Sequence, residues 1–196
     1  MKLVGPKKDL DIAASEIEKM KQTTNFMEFQ EAWENFLFRI ERAWELTERT
    51  LRAENGFEKW HKPYTDLRKK DPLLVFLKQA RNSEMHSISS TVAKPLKMVL
   101  TDKTGRGLNV NSVSSQLNDG ALTININTSD LFPHVDLNII PSDPELVKFK
   151  NRGEWYSPPK RHLRKQIIDC HPISIAELGC TFYRAYVTEA EVWSQN

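Results

Sequence analysis

Read for the spacing of its apolar and polar side chains, the chain changes period twice. Over residues 9–22, Leu10, Ala13, Ala14, Ile17 and Met20 recur at the three- and four-residue steps of a helix. Thr23-Thr24-Asn25 interrupts that stripe, and Asn25 with Glu28 three places on has the form of a capping box. A second helix is predicted over 26–54, with Phe29, Trp33, Phe36, Leu37, Ile40, Trp44 and Leu51 on one side and Asn55-Gly56 as its stop. A shorter helical stretch covers 60–70, where Pro63 marks a first turn or a kink. Asp71-Pro72 then restarts the helix, Asp as the cap and Pro in the first helical position. The resulting fourth helix, predicted over 72–89, carries Leu73, Leu74, Phe76, Leu77 and Ala80.

From about 95 to 156 the period becomes two. Leu122, Ile124 and Ile126 alternate with Thr123, Asn125 and Asn127, and Asn118-Asp119-Gly120 between 108–116 and 121–128 predicts a hairpin. Residues 135–140 and 145–150 read as further strands, Asn151-Arg152-Gly153 as a turn, and Ser157-Pro158-Pro159 as the close of the section. Helix returns at the end, with Ser174 and Glu177 as a second capping box and Ile175, Leu178, Phe182, Ala185 and Val192 as its apolar side. The expected fold is therefore mainly α. Residues 1–92 supply the first helices of an antiparallel bundle, and 159–196 supply the helix that completes it. Residues 93–158 form a β-rich insertion, because some 60 residues are marginal for a core of their own. The whole counts as one domain.

Composition adds limits rather than direction. Apolar residues at 39% and charged residues at 28% of 196 describe a globular chain, and a net charge of +2 announces no nucleic-acid binder while leaving local basic patches open. Cys170 and Cys180 would lie about 15 Å apart along a helix, too far to bridge, and two free thiols fit a reducing cytoplasm. The first ten residues lack an apolar signal region, and the longest apolar run, 73–77, is far too short for a membrane span.

The chemistry concentrates in Arg81-Asn82-Ser83-Glu84-Met85-His86 at the end of the fourth helix. Positions 82 and 86 fall about 40° apart on one helix face, and Arg81 is long enough to reach toward it. Arg binds phosphate through a planar fork, His titrates near neutrality, and Asn can orient the imidazole or bond a phosphate oxygen. With RNA as substrate the ribose 2′-OH supplies the nucleophile, so a base, a charge stabiliser and positioning suffice without metal or cofactor.

That segment resembles the Arg, four to six residues, His motif of the HEPN superfamily, whose members often carry a polar residue straight after the Arg, as Asn82 does here. Asp71-Pro72-Leu73-Leu74 leading into Ala80-Arg81-Asn82 is similar to the same group, as is the tail from Pro158 through His162-Leu163 to Ile175-Ala176-Glu177-Leu178. The specific match covers some twenty residues. The resemblance implies a HEPN-like helical bundle and a metal-independent endoribonuclease of toxin–antitoxin, phage-defence or RNA-processing type. Its site would form where two motifs meet across a homodimer, with Arg81 and His86 catalytic and Asn82 in support. It also implies an antitoxin or other protein partner. In some members a Tyr stands two places after the His; here that place is Ile88. The alternative is a noncatalytic module of the same kind, binding a nucleotide, a nucleic acid or a protein.

Lys148, Lys150, Arg152, Lys160, Arg161, Arg164 and Lys165 form the densest basic stretch. Beside a bundle groove, Lys160, Arg161, Arg164 and Lys165 would hold an RNA backbone, with Trp155 and Tyr156 at hand for base stacking; the bland reading is a solvated loop. His61, His134 and His171 have no neighbours at metal-ligand spacing, and no phosphate-binding glycine loop or nucleophile elbow is present.

Overall fold

The computed structural model describes residues 3–86, 90–101, 104–107, 110–118, 121–128 and 136–195. It is mainly α. The helices are α1 (Val4–Gln22), α2 (Phe26–Leu51), α3 (Phe57–Lys70), α4 (Pro72–His86) and α5 (Pro172–Trp193). They share one compact unit with the short strands β1 (Val92–Ala93), β6 (Glu145–Leu146), β7 (Phe149–Asn151), β8 (Glu154–Tyr156), β9 (Arg161–His162) and β10 (Lys165–Gln166).

A second unit, Pro95–Asp143, holds β2 (Leu96–Thr101), β3 (Val110–Asn118), β4 (Ala121–Thr128) and β5 (Asp136–Pro141). There β2 pairs antiparallel with β5 from Leu96↔Pro141 to Thr101↔Asp136. The expected hairpin is β3–β4, in register from Asn118↔Ala121 with an irregularity between Val110 and Ser112; Asp119 and Gly120 lie outside the described residues.

The helical unit reaches further along the chain than the change of period indicates. Residues 144–158 run with the helices: β6 pairs with β1, and β7–β8 sets Phe149 against Phe76 of α4 with ring centres 5.4 Å apart. The stretch 145–150 is accordingly two strands in two pairings. Each strand of this unit is two or three residues long, too short for period two to show.

The core follows the helical stripes. Trp33, Phe36, Leu37, Ile40 and Trp44 of α2 are buried with Leu10, Ala13 and Ile17 of α1 and with Leu73, Leu74 and Leu77 of α4. Three residues join α1 to α2, so the two pack as an antiparallel hairpin. α5 packs on α1, α2 and α4, and at Gly179 the helices approach so closely that an added Cβ would lie 2.5 Å from Leu77 Cδ1. The buried residues of α5 are Pro172, Ile175, Ala176, Gly179, Cys180, Phe182, Tyr183, Tyr186, Val187 and Ala190, so Ile175 and Phe182 lie where their spacing puts them. Leu178, Ala185 and Val192, which spacing assigns to the stripe, are exposed instead.

The ends correct the reading further. α1 starts at Val4, not 9, because Pro6 sits in the first turn, where an amide has no partner to lose; the first bond runs from Lys7 N to Leu3 O. α2 ends at Leu51, and Gly56, with φ of 82°, begins α3 at Phe57, so Pro63 lies in the helix interior. Asn25 caps α2 as expected through Met27 N, but Glu28 takes the Thr23 hydroxyl instead of returning to Asn25. For α5, His171 is the cap and Pro172 the first residue; Ser174 bonds Asp169 and Glu177 pairs with Lys21, so no capping box forms.

Two buried polar groups tie the unit together. Arg68 of α3 bonds Glu41 of α2, its guanidinium 4.2 Å above the Trp44 ring centre. Asp71 does more. Its Oδ1 accepts the N–H groups of Leu73 and Leu74 and faces His162 Nδ1 at 2.9 Å, while Oδ2 accepts Leu163 N–H at 2.7 Å. Burial works against that charge, yet the bonds from His162, Leu163 and Leu74 outweigh it and hold the carboxyl below its ordinary 3.8.

A carboxyl with a depressed folded pKa stabilises above its unfolded value and loses that contribution as pH falls through the folded one. Asp71→Ala should cost about 2–4 kcal/mol in urea unfolding at pH 7. The advantage of the wild type over Asp71→Asn should be complete near neutrality and shrink below about pH 4; an advantage that stayed constant down to pH 2 would contradict the role given to the charge.

Candidate functional site

α4 carries the site because Asp71 fixes where it starts, and every later position follows from the helical step. Ala80 is fully buried, so Arg81 and Asn82 emerge at the boundary of the core, each half-buried. The structure brings these two together: Arg81 Nη1 donates to Asn82 Oδ1 at 3.2 Å. Arg81 Nε is buried and has no hydrogen-bond partner among the described residues. The pairing fixes both side chains. With the Asn82 carbonyl oxygen turned to the guanidinium, its amide N–H₂ points away from Arg81 as a second donor beside the guanidinium N–H groups. His86 is the last residue of α4, and its side chain lies outside the described residues.

The end of α4 is anchored by a buried relay. Trp33 Nε1 donates to Thr91 Oγ1 at 2.9 Å, Thr91 Oγ1 donates to Glu84 Oε1 at 2.7 Å, and the Thr91 backbone N–H donates to the same oxygen at 2.6 Å. Sequence reading passed over Glu84 and Thr91, which look like ordinary polar residues and lie seven positions apart. Burial pushes the Glu84 carboxyl up from its ordinary 4.5 against the pull of the two Thr91 bonds, with the nearby Glu34 charge adding to the rise.

The basic stretch divides between two hairpins. Lys160, Arg161, Arg164 and Lys165 are exposed on and beside β9–β10, whose turn residues Leu163 and Arg164 take left-handed φ values of 46° and 68°. His162 alone turns inward, to Asp71. This hairpin is therefore fastened at the start of α4, about 15 Å along the helix from Arg81. The hairpin nearer the site is β7–β8. Asn151 Nδ2 donates to Gln79 Oε1 at 2.8 Å, and Gln79 stands one turn before Asn82 on the same face of α4.

Among the described residues no three His, Cys, Asp or Glu side chains are placed to hold a metal ion, and no helix is long and apolar enough to cross a membrane. His134 lies outside the described residues. His61 is packed between Trp44 and Phe57, and burial lowers its pKa from the ordinary 6.5. Both cysteines are free, and Cys170 precedes α5 rather than lying on it. No family model matches the chain, and neither a curated protein nor a solved structure is significantly similar to it.

The raised Glu84 carboxyl has the opposite pH sign to Asp71: the fold favours its protonated form, so the wild type loses stability as pH climbs from 4.5 through the folded value. Glu84→Gln keeps an acceptor for both Thr91 donors without the charge. Its urea midpoint relative to wild type should rise between pH 4.5 and 7.5, and a relative midpoint that fell over that interval would show that the charge itself holds Thr91.

Proposed function

We propose that the chain is a HEPN-like, metal-independent endoribonuclease in which Arg81 holds the scissile phosphate, Asn82 positions it and His86 transfers the proton. The observation that carries this reading is the Arg81 guanidinium. It is a half-buried cation steered by Asn82, with a buried Nε–H donor that no group of the described chain satisfies. A buried donor of this kind is costly unless a ligand meets it, and a phosphate oxygen meets it well.

In the proposed reaction the 2′-OH gives its proton to a base and attacks the adjacent phosphorus. The bond from phosphorus to the 5′-oxygen breaks, and that oxygen takes a proton as it leaves. The products are a 2′,3′-cyclic phosphate and a free 5′-OH. Arg81 meets the charge that builds on the non-bridging oxygens, and the Asn82 amide N–H₂ can donate to one of them. His86 at position 86 supplies one proton-transfer group. By resemblance to the superfamily, the same motif on a second copy of the chain supplies the other, which makes the homodimer the working unit. The basic hairpins would hold the flanking strand. Action as a toxin or in phage defence, with a protein partner that restrains it, remains part of the same proposal.

The test is cleavage of single-stranded RNA in EDTA by wild type, Arg81→Ala and His86→Ala, each checked for unchanged folding and oligomeric state. Arg81→Ala should lower the rate about 10²–10³-fold and His86→Ala about 10²–10⁴-fold, and wild-type products should carry cyclic-phosphate ends. Equal cleavage by His86→Ala and wild type would overturn the assignment. Tight RNA binding by a folded wild type that cuts nothing would move the chain to the noncatalytic reading.

A further inference from the structure

The two faces of the β7–β8 hairpin differ. Phe149 pairs with Tyr156, their rings stacked at 5.6 Å, and this pair turns inward, where Phe149 meets Phe76 of α4. The next pair, Lys150↔Trp155, falls on the opposite face by the period of two. Trp155 is 60% exposed, far more than a packing role needs. Lys148 Nζ lies 4.8 Å from its ring centre, covering one face of the indole. Arg152 and Gly153, with φ of 48° and 87°, make the tight turn and set Arg152 at the tip, exposed. None of Lys148, Lys150 and Arg152 is held by a carboxylate among the described residues. An exposed indole, with Lys148 over one face, Lys150 as its cross-strand neighbour and Arg152 at the tip of the same hairpin, is therefore presented by an element seated on α4 through Phe149 and Asn151.

We propose that this outward face is a stacking platform for an unpaired base, and that it makes single-stranded RNA the substrate class of the nuclease site proposed above. The base would stack on the open face of Trp155, while Lys148, Lys150 and Arg152 take the phosphates on either side. Stacking accepts any base, because each has a π-face, and it rejects a duplex, whose bases are already stacked on each other. The placement suits the purpose: Asn151, in the same hairpin, is clamped to Gln79, one turn of α4 from Asn82. The platform thus belongs to an element fixed to α4 one turn from Asn82, on the face of the hairpin opposite that clamp.

The inference rests on the nuclease reading for its destination but can be tested apart from it. The probe is a fluorescent 2′-O-methyl oligouridylate, which lacks the free 2′-OH and cannot be cut, compared by anisotropy with the same strand in a 2′-O-methyl duplex. Trp155→Ala should weaken single-strand binding about ten-fold and Trp155→Phe far less, with duplex binding unchanged. Replacing Lys148, Lys150 and Arg152 together by Gln should flatten the dependence of log affinity on log salt by about two units, whereas Trp155→Ala should leave that slope alone. Equal single-strand affinity of wild type and Trp155→Ala would overturn the platform, even if unmodified RNA were still cleaved. Loss of affinity in Trp155→Ala with no cleavage of unmodified RNA by wild type would keep the platform and remove the nuclease.

Discussion

The carboxylate of Asp71 is the interaction on which the rest of the helical unit depends. Its own N–H closes α3 on Leu67 O, and its oxygens open α4 through Leu73 and Leu74 and fasten the β9–β10 hairpin through His162 and Leu163. Three segments, one of them some 90 residues away in the chain, are thus referred to a single buried anion. The hairpin needs that anchor. Leu163 and Arg164 both sit in the left-handed region, which costs a side-chain-bearing residue about 1–3 kcal/mol each. Charge-assisted hydrogen bonds of about 1.5–3 kcal/mol apiece are of the right size to offset it.

The other buried charges serve placement more than stability. Glu41 and Arg68 lie under Trp44 and Tyr183, where desolvation consumes most of what the pair gains, while removal of one partner would strand the other. They fix how α3 lies against α2. Trp33, Thr91 and Glu84 do the same for the far end of α4, at the expense of keeping a carboxyl where burial disfavours its charge. One end of α4 is held by a carboxylate whose charge the fold stabilises, the other by a carboxyl whose charge burial disfavours. The candidate residues at 81 and 82 stand at the second of these ends.

What was legible in the sequence was whatever has a period or a local stop. The long stripe of α2 announced Trp33, Phe36 and Trp44 as core, and Asp71-Pro72 announced the start of α4, because both signals are complete within a few residues. The strands of 145–156 were not separable, since two-residue strands show no alternation and their partners are fixed by tertiary packing. The apolar side of α5 was legible only at Ile175 and Phe182, because its sequence is apolar on most sides, so that small residues such as Gly179 and Ala190, not Leu178 or Val192, mark the close helix contacts. His162 stands between Arg161 and Arg164 in the basic stretch, and only the fold reveals that it points the other way, to a carboxylate 91 positions earlier. The pairing of Arg81 with Asn82 was within reach of local reasoning; the clamp of Asn151 on Gln79 was not.

The division of the basic stretch into two hairpins changes what that stretch can do. Seven cations in a row of eighteen residues suggest one electrostatic surface, yet the hairpins are seated at different heights on α4, one at Asp71 and one at Gln79. A surface so divided follows an extended strand better than it grips a point. A phosphate backbone running along α4 would meet β9–β10 first, then β7–β8, and then the Arg81–Asn82 pair, each element fixed to the same helix by a buried or half-buried side-chain bond. The single helix is therefore the ruler for the whole assembly: the anion that sets its first residue also sets the spacing between the cations that would hold a strand and the guanidinium that would act on it.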